Sequence, residues 1–246
     1  MELQITGMAP VPAYYRLQEL LKKNIEDSTW KPGEGIPSER ILSMDHGVSI
    51  GTVKKAIMNL VNAGYLYRVQ GKGTFVGGTT LKRGSLRYYR MMRDFGDNED
   101  DLSIVFHGLS TVRGNEKAEI NLDMPPGRSL YEIRRLFLSG NKPVIWSVSF
   151  LPKSLFKNLD SIPPTAFEHD TLYETIENRY NLPCLYNREL FGAVKAPPDI
   201  AALLNVPSGT SLLSIEMISY TYKSKPYEYR LSYCITGQRR VFRTIE

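Results

Sequence analysis

Three stretches near the start of the chain carry apolar residues at helical spacing, and each is followed by residues that stop helices. In the first, Leu17, Leu20, Leu21 and Ile25 share a face of residues 14–26, with Lys22 and Lys23 opposite and Lys31-Pro32-Gly33 beyond. The second opens at Ser38, a residue type that caps helices, with Glu39 near the positive helix end; it turns Ile41, Leu42 and Met44 inward and closes at Gly47. The third opens at Ser49 and carries Val53, Ala56, Ile57, Leu60 and Val61 as one stripe up to Gly64. That stripe leaves Gly51, Thr52, Lys55 and Asn59 outward, with Lys54 at the flank.

Beyond Gly64 the period shortens. Residues 65–69 and 74–76 read as strands around the tip Gln70-Gly71-Lys72-Gly73, a hairpin whose glycines let the backbone approach a phosphate closely while Lys72 supplies charge. Two short helices around a tight turn, the second with a polar and cationic face, then a basic hairpin: this is the layout of a winged helix-turn-helix, whose second helix lies in the DNA major groove. Residues 77–80, Gly-Gly-Thr-Thr, break the composition and suit a linker. The expected organisation is therefore a DNA-binding domain over 1–77, a linker over 78–84 and a larger domain over 85–246.

In that larger part the residues at 122–133, LDMPPGRSLYEI, recur at 204–215 as LNVPSGTSLLSI. Each copy follows a helix-like stretch and leads into a strand, a turn (139–143; 223–226) and a second strand (144–151; 227–235), with Pro143 matching Pro226 and Ser149 matching Ser232. Two copies are too few for a solenoid, so the pattern predicts a duplicated helix-plus-hairpin unit completing one antiparallel sheet. Between the copies, Leu172, Ile176 and Tyr180 mark a helix, and residues 182–194 read as extended. The fold class is two domains: a mainly helical winged helix-turn-helix, then an α+β antiparallel sheet domain.

Composition fits this picture: of 246 residues 42% are hydrophobic and 23% charged, which is enough apolar material for two cores, and no apolar run reaches membrane-spanning length. Residues 1–15 lack the basic and apolar regions of a signal peptide, so the cytoplasm is the expected location. Net charge is only +5, but residues 46–93 hold nine Lys or Arg and no Asp or Glu, a one-signed stretch of the kind a phosphate backbone attracts. Within it, residues 82–93 carry five basic side chains around Tyr88 and Tyr89. DNA, an anionic effector or plain solvation would each suit that segment.

Cys184 and Cys234, far apart and outside any Cys-x-x-Cys, read as free core thiols. His46, His107 and His169 are scattered, and no nucleophile, metal or phosphate-loop motif occurs, so catalytic residues, metal and cofactor are all expected to be absent. A lyase-like enzyme and an effector-blind DNA-binding protein remain the rival classes.

Residues 14–76 contain Pro32-Gly33, then Pro-Ser-Glu-Arg at 37–40, Val-Ser at 48–49 followed by Thr-Val at 52–53, and Gly-Lys-Gly-Thr-Phe-Val at 71–76. This set resembles the DNA-binding domain of the GntR family. The resemblance implies DNA contacts from Arg40, Thr52, Lys54, Gly71 and Lys72, to which the helix starts and wing tip add Ser38, Ser49, Lys55 and Gly73 as candidates. Two positions depart from the family pattern: Ile50 and Lys54 stand where many members have Arg, so an operator different from the commoner one is expected. Arg40 also has the alternative of an ion pair with Glu39 or Asp45, and Lys55 of simple solvation.

Residues 84–243 resemble, more loosely, the UTRA effector domain of the HutC branch, whose fold is shared with chorismate lyase. The features are Pro-Gly before a strand, Arg135 within it, Gly140-x-x-Pro-Val at a hairpin, a Leu-Tyr-x-x-Ile-Glu helix at 172–177 and Pro-x-Glu-Tyr at 226–229. The resemblance implies a homodimer on an operator of double-stranded DNA, and a small-molecule effector near Arg87, Arg135, Ser147, Glu228 and Tyr229. Phe137 stands where phosphosugar-binding members have a second Arg, and Ser147 where a Glu is frequent, which favours a less charged or aromatic ligand. A structural Arg135–Glu228 ion pair is the alternative.

Overall fold

A computed structural model of the chain describes residues 11–78, 90–92, 102–169, 171–237 and 240–242. It divides into two compact units between Gly78 and Thr79. In the first, α1 (Ala13–Glu26), α2 (Glu39–His46) and α3 (Ile50–Asn62) precede the hairpin of β1 (Leu66–Val69) and β2 (Gly73–Val76). The apolar stripes meet where the spacing predicts: Leu17, Leu21 and Ile25 of α1, Leu42 of α2, and Val53, Ala56, Ile57 and Leu60 of α3 are buried. Gly47 takes φ 60°, a left-handed position that an L side chain would resist, and this lets the chain turn sharply between α2 and α3.

Two expectations fail in this unit. Leu20, Ile41 and Met44 are exposed, at 44%, 48% and 73%, because short helices packed on one side bury only a narrow stripe and α2 spends it on Leu42. Asn59 turns toward α1 instead of outward, donating from Nδ2 to Oε1 of Gln18 at 2.9 Å. The turn at Lys31–Gly33 also does more than end a helix: Gly33 and Ile36 donate backbone N–H groups to Val76 and Thr74, and Val76 donates back to Glu34, so the segment lies against β2 as an added strand of the wing.

The second unit is a six-stranded antiparallel sheet in the order β4-β5-β6-β9-β8-β7, made of β4 (Leu102–Val112), β5 (Leu130–Ser139), β6 (Lys142–Pro152), β7 (Tyr186–Lys195), β8 (Ser211–Thr221) and β9 (Lys225–Cys234). A separate small ladder pairs β3 (Arg90–Met92) with β10 (Arg240–Phe242). Helices α4 (Glu116–Asn121) and α7 (Pro198–Leu204) pack on one face; α5 (Ala166–His169) and α6 (Leu172–Tyr180) supply apolar groups to the other. Among the described residues no helix is long and apolar enough to cross a membrane.

The repeat seen in the sequence becomes a pseudo-two-fold. One half is β4-α4-β5-β6, the other β7-α7-β8-β9, and the strand order reads the same from either edge. Matching Pro143 with Pro226 and Ser149 with Ser232 makes Val148 the equivalent of Leu231, and these two are paired in the ladder, so the axis passes between them. Asp123 and Asn205 both take positive φ (51° and 53°), as do Gly127 and Gly209 (74° and 80°), so the turns after α4 and α7 are copies in conformation as well as in sequence.

Strand β4 is not legible as a strand in the residue pattern. A bulge between Phe106 and Gly108, with Gly108 at φ 125°, shifts its register against β5 and breaks the alternation that marks a strand.

Candidate functional site

In the first unit the second and third helices are capped as their sequences dictate. Ser38 Oγ accepts from the N–H of Ile41, and Ser49 Oγ accepts from the N–H of Thr52 at 3.1 Å while lying 2.9 Å from Thr52 Oγ1. This cap fixes where α3 begins, so the start of α3 is a rigid edge carrying Ile50, Gly51, Thr52, Lys54 and Lys55. Lys54 is exposed; Lys55 is exposed too, but its ammonium sits 3.9 Å from the centre of the Tyr14 ring on α1. Arg40 is exposed, and the nearby carboxylate of Glu39 is bonded to Arg68 of β1 at 3.0 Å. That ion pair joins the start of α2 to the wing strand. At the wing tip Gly71, Lys72 and Gly73 are all exposed, with Gly71 at φ 73°. His46, the last residue of α2, is exposed.

In the second unit one face of the sheet holds an uncommon arrangement. Arg135 of β5, Ser147 and Ser149 of β6, Ser219 of β8 and Glu228, Arg230 and Ser232 of β9 are each at most 2% exposed. They are neighbours by register: Arg135 lies opposite Ser147, Ser147 opposite Ser232, Ser149 opposite Arg230 and Ser219 opposite Glu228. On the same face, apolar clusters lie to either side, one around Tyr131, Leu151, Phe167 and Tyr173 and the other around Phe137, Ile145, Ile215 and Cys234.

Within the cluster Glu228 Oε1 accepts from Arg230 Nε at 2.7 Å and lies 2.6 Å from Nη2 as an ion pair, and its Oε2 accepts from Ser219 Oγ at 2.9 Å. Arg230 Nε also lies 3.1 Å from Ser149 Oγ, and its guanidinium carbon is 5.1 Å from the centre of the Tyr173 ring. Ser232 donates to Ser147 at 3.3 Å, and the Arg135 guanidinium lies 5.8 Å from the Phe137 ring centre. Taking two charges out of water costs several kcal/mol each, roughly, and a well-packed apolar face is commonly as stable or more so. Stability alone therefore does not account for this cluster.

Of the residues expected to form the effector site, Arg135, Ser147 and Glu228 meet on this face. Tyr229 does not: it points from the opposite face, where it stacks with Phe150 and donates to Oε2 of Glu216 at 3.0 Å. Adjacent residues of a strand face opposite ways, so Glu228 and Tyr229 cannot serve one pocket in the sheet. Lys117 of α4 completes that second group, 2.6 Å from Glu216, and this hydrogen bond holds the Glu216 carboxyl below its usual range. Arg87 and most of the basic segment at 82–93 lie outside the described residues.

The ion pair seen on Glu228 is with Arg230, not the one weighed from sequence. Arg230, Ser149, Ser219 and Ser232 were missed as site residues, although polar residues at alternate positions in otherwise apolar strands, Ser147-x-Ser149 and Glu228-x-Arg230-x-Ser232, were the available signal. Both cysteines are buried and outside any disulfide, and desolvation is the largest cause that pushes each thiol up to about 12. Among the described residues no three metal-ligating side chains cluster.

Comparisons with known proteins agree with this anatomy. Residues 13–76 match the model of bacterial regulatory proteins of the gntR family, and residues 102–238 match the UTRA domain. The chain is similar to the HTH-type transcriptional repressor NagR of Bacillus subtilis, 26% identical with 98% of this chain and 97% of the relative covered. It is 25% identical to an Escherichia coli protein named as a fructoselysine utilization operon transcriptional repressor, with 90% and 89% covered. Among solved structures, the ligand-binding domain of a GntR-family regulator from Bordetella bronchiseptica superposes with a TM-score of 0.59 at 23% identity, covering 65% of this chain and 98% of the other. The transcriptional regulator YydK of Bacillus subtilis gives 0.55 at 17% identity, covering 96% and 100%.

Proposed function

Since the chain belongs to the GntR family and carries a UTRA domain, it is a transcription regulator whose DNA binding responds to a small-molecule effector, and we propose the following division of labour. The first turn of α3 enters the major groove, with Thr52 and Lys54 at the bases and phosphates. Arg40 and the wing tip at Gly71, Lys72 and Gly73 hold the flanking backbone. Ser38 and Ser49 act through their caps, and Lys55 contributes once it leaves the Tyr14 ring. What carries this half is that the exposed start of α3 and the exposed tip of the wing are both cationic.

The effector binds against the polar sheet face, using Arg135, Ser147 and the Glu228–Arg230 pair. A buried ion pair ringed by serine hydroxyls offers both donors and acceptors, which suits a hydroxyl-rich, weakly charged molecule. The names of the two relatives support repression, and one of them supports a sugar-derived effector. The protein works in the cytoplasm as a HutC-type homodimer on a pseudo-palindrome with half-sites about one helical turn or more apart. Effector binding releases it from the operator, which requires that the effector favour one dimer arrangement by about 1 to 3 kcal/mol.

Fluorescence anisotropy on the protein's own upstream DNA against scrambled DNA, at physiological salt and with a panel of sugars, amino-sugar derivatives and aromatic acids, tests this reading. Specific binding reversed by one compound, with reversal lost in Arg135→Met, is the expected result. Reversal that survives Arg135→Met would move the effector away from the sheet face.

A further inference from the structure

A cavity of about 700 Å³ opens at one end of the six-stranded sheet, away from the polar face cluster. It lies where β4 and β6 end and β5 and β9 begin, beneath the Pro-Gly turn that follows α4, and Arg113, Arg128, Lys153 and Lys225 line it. Asp123 is the one carboxylate among the described residues of its wall. Arg113 Nε donates to Ser129 Oγ at 3.1 Å and Lys153 Nζ to Thr111 Oγ1 at 3.2 Å, neutral hydroxyl partners that orient these cations. Lys153 also pairs with the exposed carboxylate of Asp160, 3.9 Å from its ammonium.

The pseudo-two-fold supplies an internal control. Its operation carries this end of the sheet onto the other, where the turn after α7 meets the ends of β7 and β9 and the start of β6. There Arg113 corresponds to Lys195, Ser129 to Ser211, Arg128 to Thr210, Lys153 to Thr236 and Lys225 to Lys142. The conserved part of the geometry is the first contact: Lys195 Nζ donates to Ser211 Oγ at 3.0 Å, as Arg113 does to Ser129. The repeat thus keeps one cation bonded to one serine at each end. Two of the four cations, Arg128 and Lys153, have threonine counterparts, so the geometry of the repeat does not call for them.

We propose that this cavity binds a compact, multiply charged oxyanion of the phosphate-ester or pyrophosphate class, at a site separate from the sheet-face cluster. Four cations and one carboxylate around a concavity of ligand size attract such an anion, and hydroxyl-bonded Arg113 and Lys153 present their charge with little left to order on binding.

The test is calorimetric titration of the full chain with inorganic pyrophosphate at low ionic strength. Saturable binding at one site per chain is expected. Arg128→Thr with Lys153→Thr, which gives this end the residues of the other, should weaken it about tenfold or more. Lys142→Thr with Lys195→Thr at the opposite end, and Arg135→Met on the sheet face, should leave it unchanged. Equal weakening by the opposite-end pair would mean that pyrophosphate reads only general positive charge and overturns the proposal. Loss in Arg135→Met alone, or no saturable binding, does the same.

Discussion

Removing Arg230 leaves Glu228 fully buried with its cation gone, and this is where a single side chain has the largest expected effect on the second unit. Arg230→Met should cost about 3–5 kcal/mol in urea unfolding, because the carboxylate stays in place without a partner. Replacing both, Arg230→Met with Glu228→Leu, should recover most of that loss while abolishing the response to effector. A stable double variant that still responds would assign the pair to folding alone. In the first unit the exposed cations carry the analogous tests. Arg40→Ala and Lys72→Ala, as losses of backbone contacts, should each weaken binding to all sequences alike and lower the salt slope by about one. Unchanged affinity and slope in both variants would remove the wing and α2 from the interface.

At the level of elements, the position of α3 depends on two small features that precede it. Gly47 supplies the left-handed turn and Ser49 the cap. Ser49→Ala is expected to destabilise the first unit by about 1 kcal/mol, as seen by thermal melting, and to lower operator affinity further, since a frayed first turn loses the rigid placement of Thr52 and Lys54. If affinity falls only in proportion to the unfolded fraction, the cap stabilises without positioning. In the larger unit the bulge at Gly108 performs a comparable service for the edge strand β4, while the cap at Thr171, which forms a capping box with Glu174, fixes the start of the helix that brings Tyr173 over the Arg230 guanidinium.

For the whole molecule the buried ionisable groups set an alkaline limit. Burial raises the thiols of Cys184 and Cys234 from 9.0 to about 12, and pushes the Tyr227 and Tyr229 hydroxyls up as well. In the unfolded chain these thiols lose protons near 9, whereas the folded chain retains them, so stability should hold below pH 9 and fall between about 9 and 12. Denaturant unfolding followed from pH 8 to 11 measures this, and Cys184→Ala with Cys234→Ala should flatten the decline. A steep decline unchanged in that variant would assign it to the tyrosines. The duplicated halves also bear on this scale: the symmetric strand order closes one sheet from two copies, yet the axis runs through a face where the copies differ. Glu228 and Ser219 of one half stand where the other has Ile145 and Phe137, and Arg135 stands where its counterpart is Met217. Divergence of that kind makes the polar face asymmetric about the axis.

The DNA-binding unit is almost wholly a local matter, and this is why it could be read from residues. Its helices, caps, turn and wing are each encoded within a dozen neighbouring positions, and the outward face of α3 follows from the period of its own stripe; only Leu20, Ile41, Met44 and Asn59 depended on how narrowly the helices pack. The duplicated hairpins were legible for the same reason, through Pro143 with Pro226 and Ser149 with Ser232. Membership of the sheet-face cluster was another matter. Arg135, Ser149, Ser219 and Arg230 come from four different strands and meet only through strand register, whereas the turn of Tyr229 to the opposite face and the pairing of Glu228 with Arg230, two positions along one strand, follow from alternation within β9. The sequence determined the elements because their hydrophobic periods are local. Only tertiary structure could decide which polar side chains share a face, because one step along a strand reverses the face and pairing between strands is set by the whole sheet.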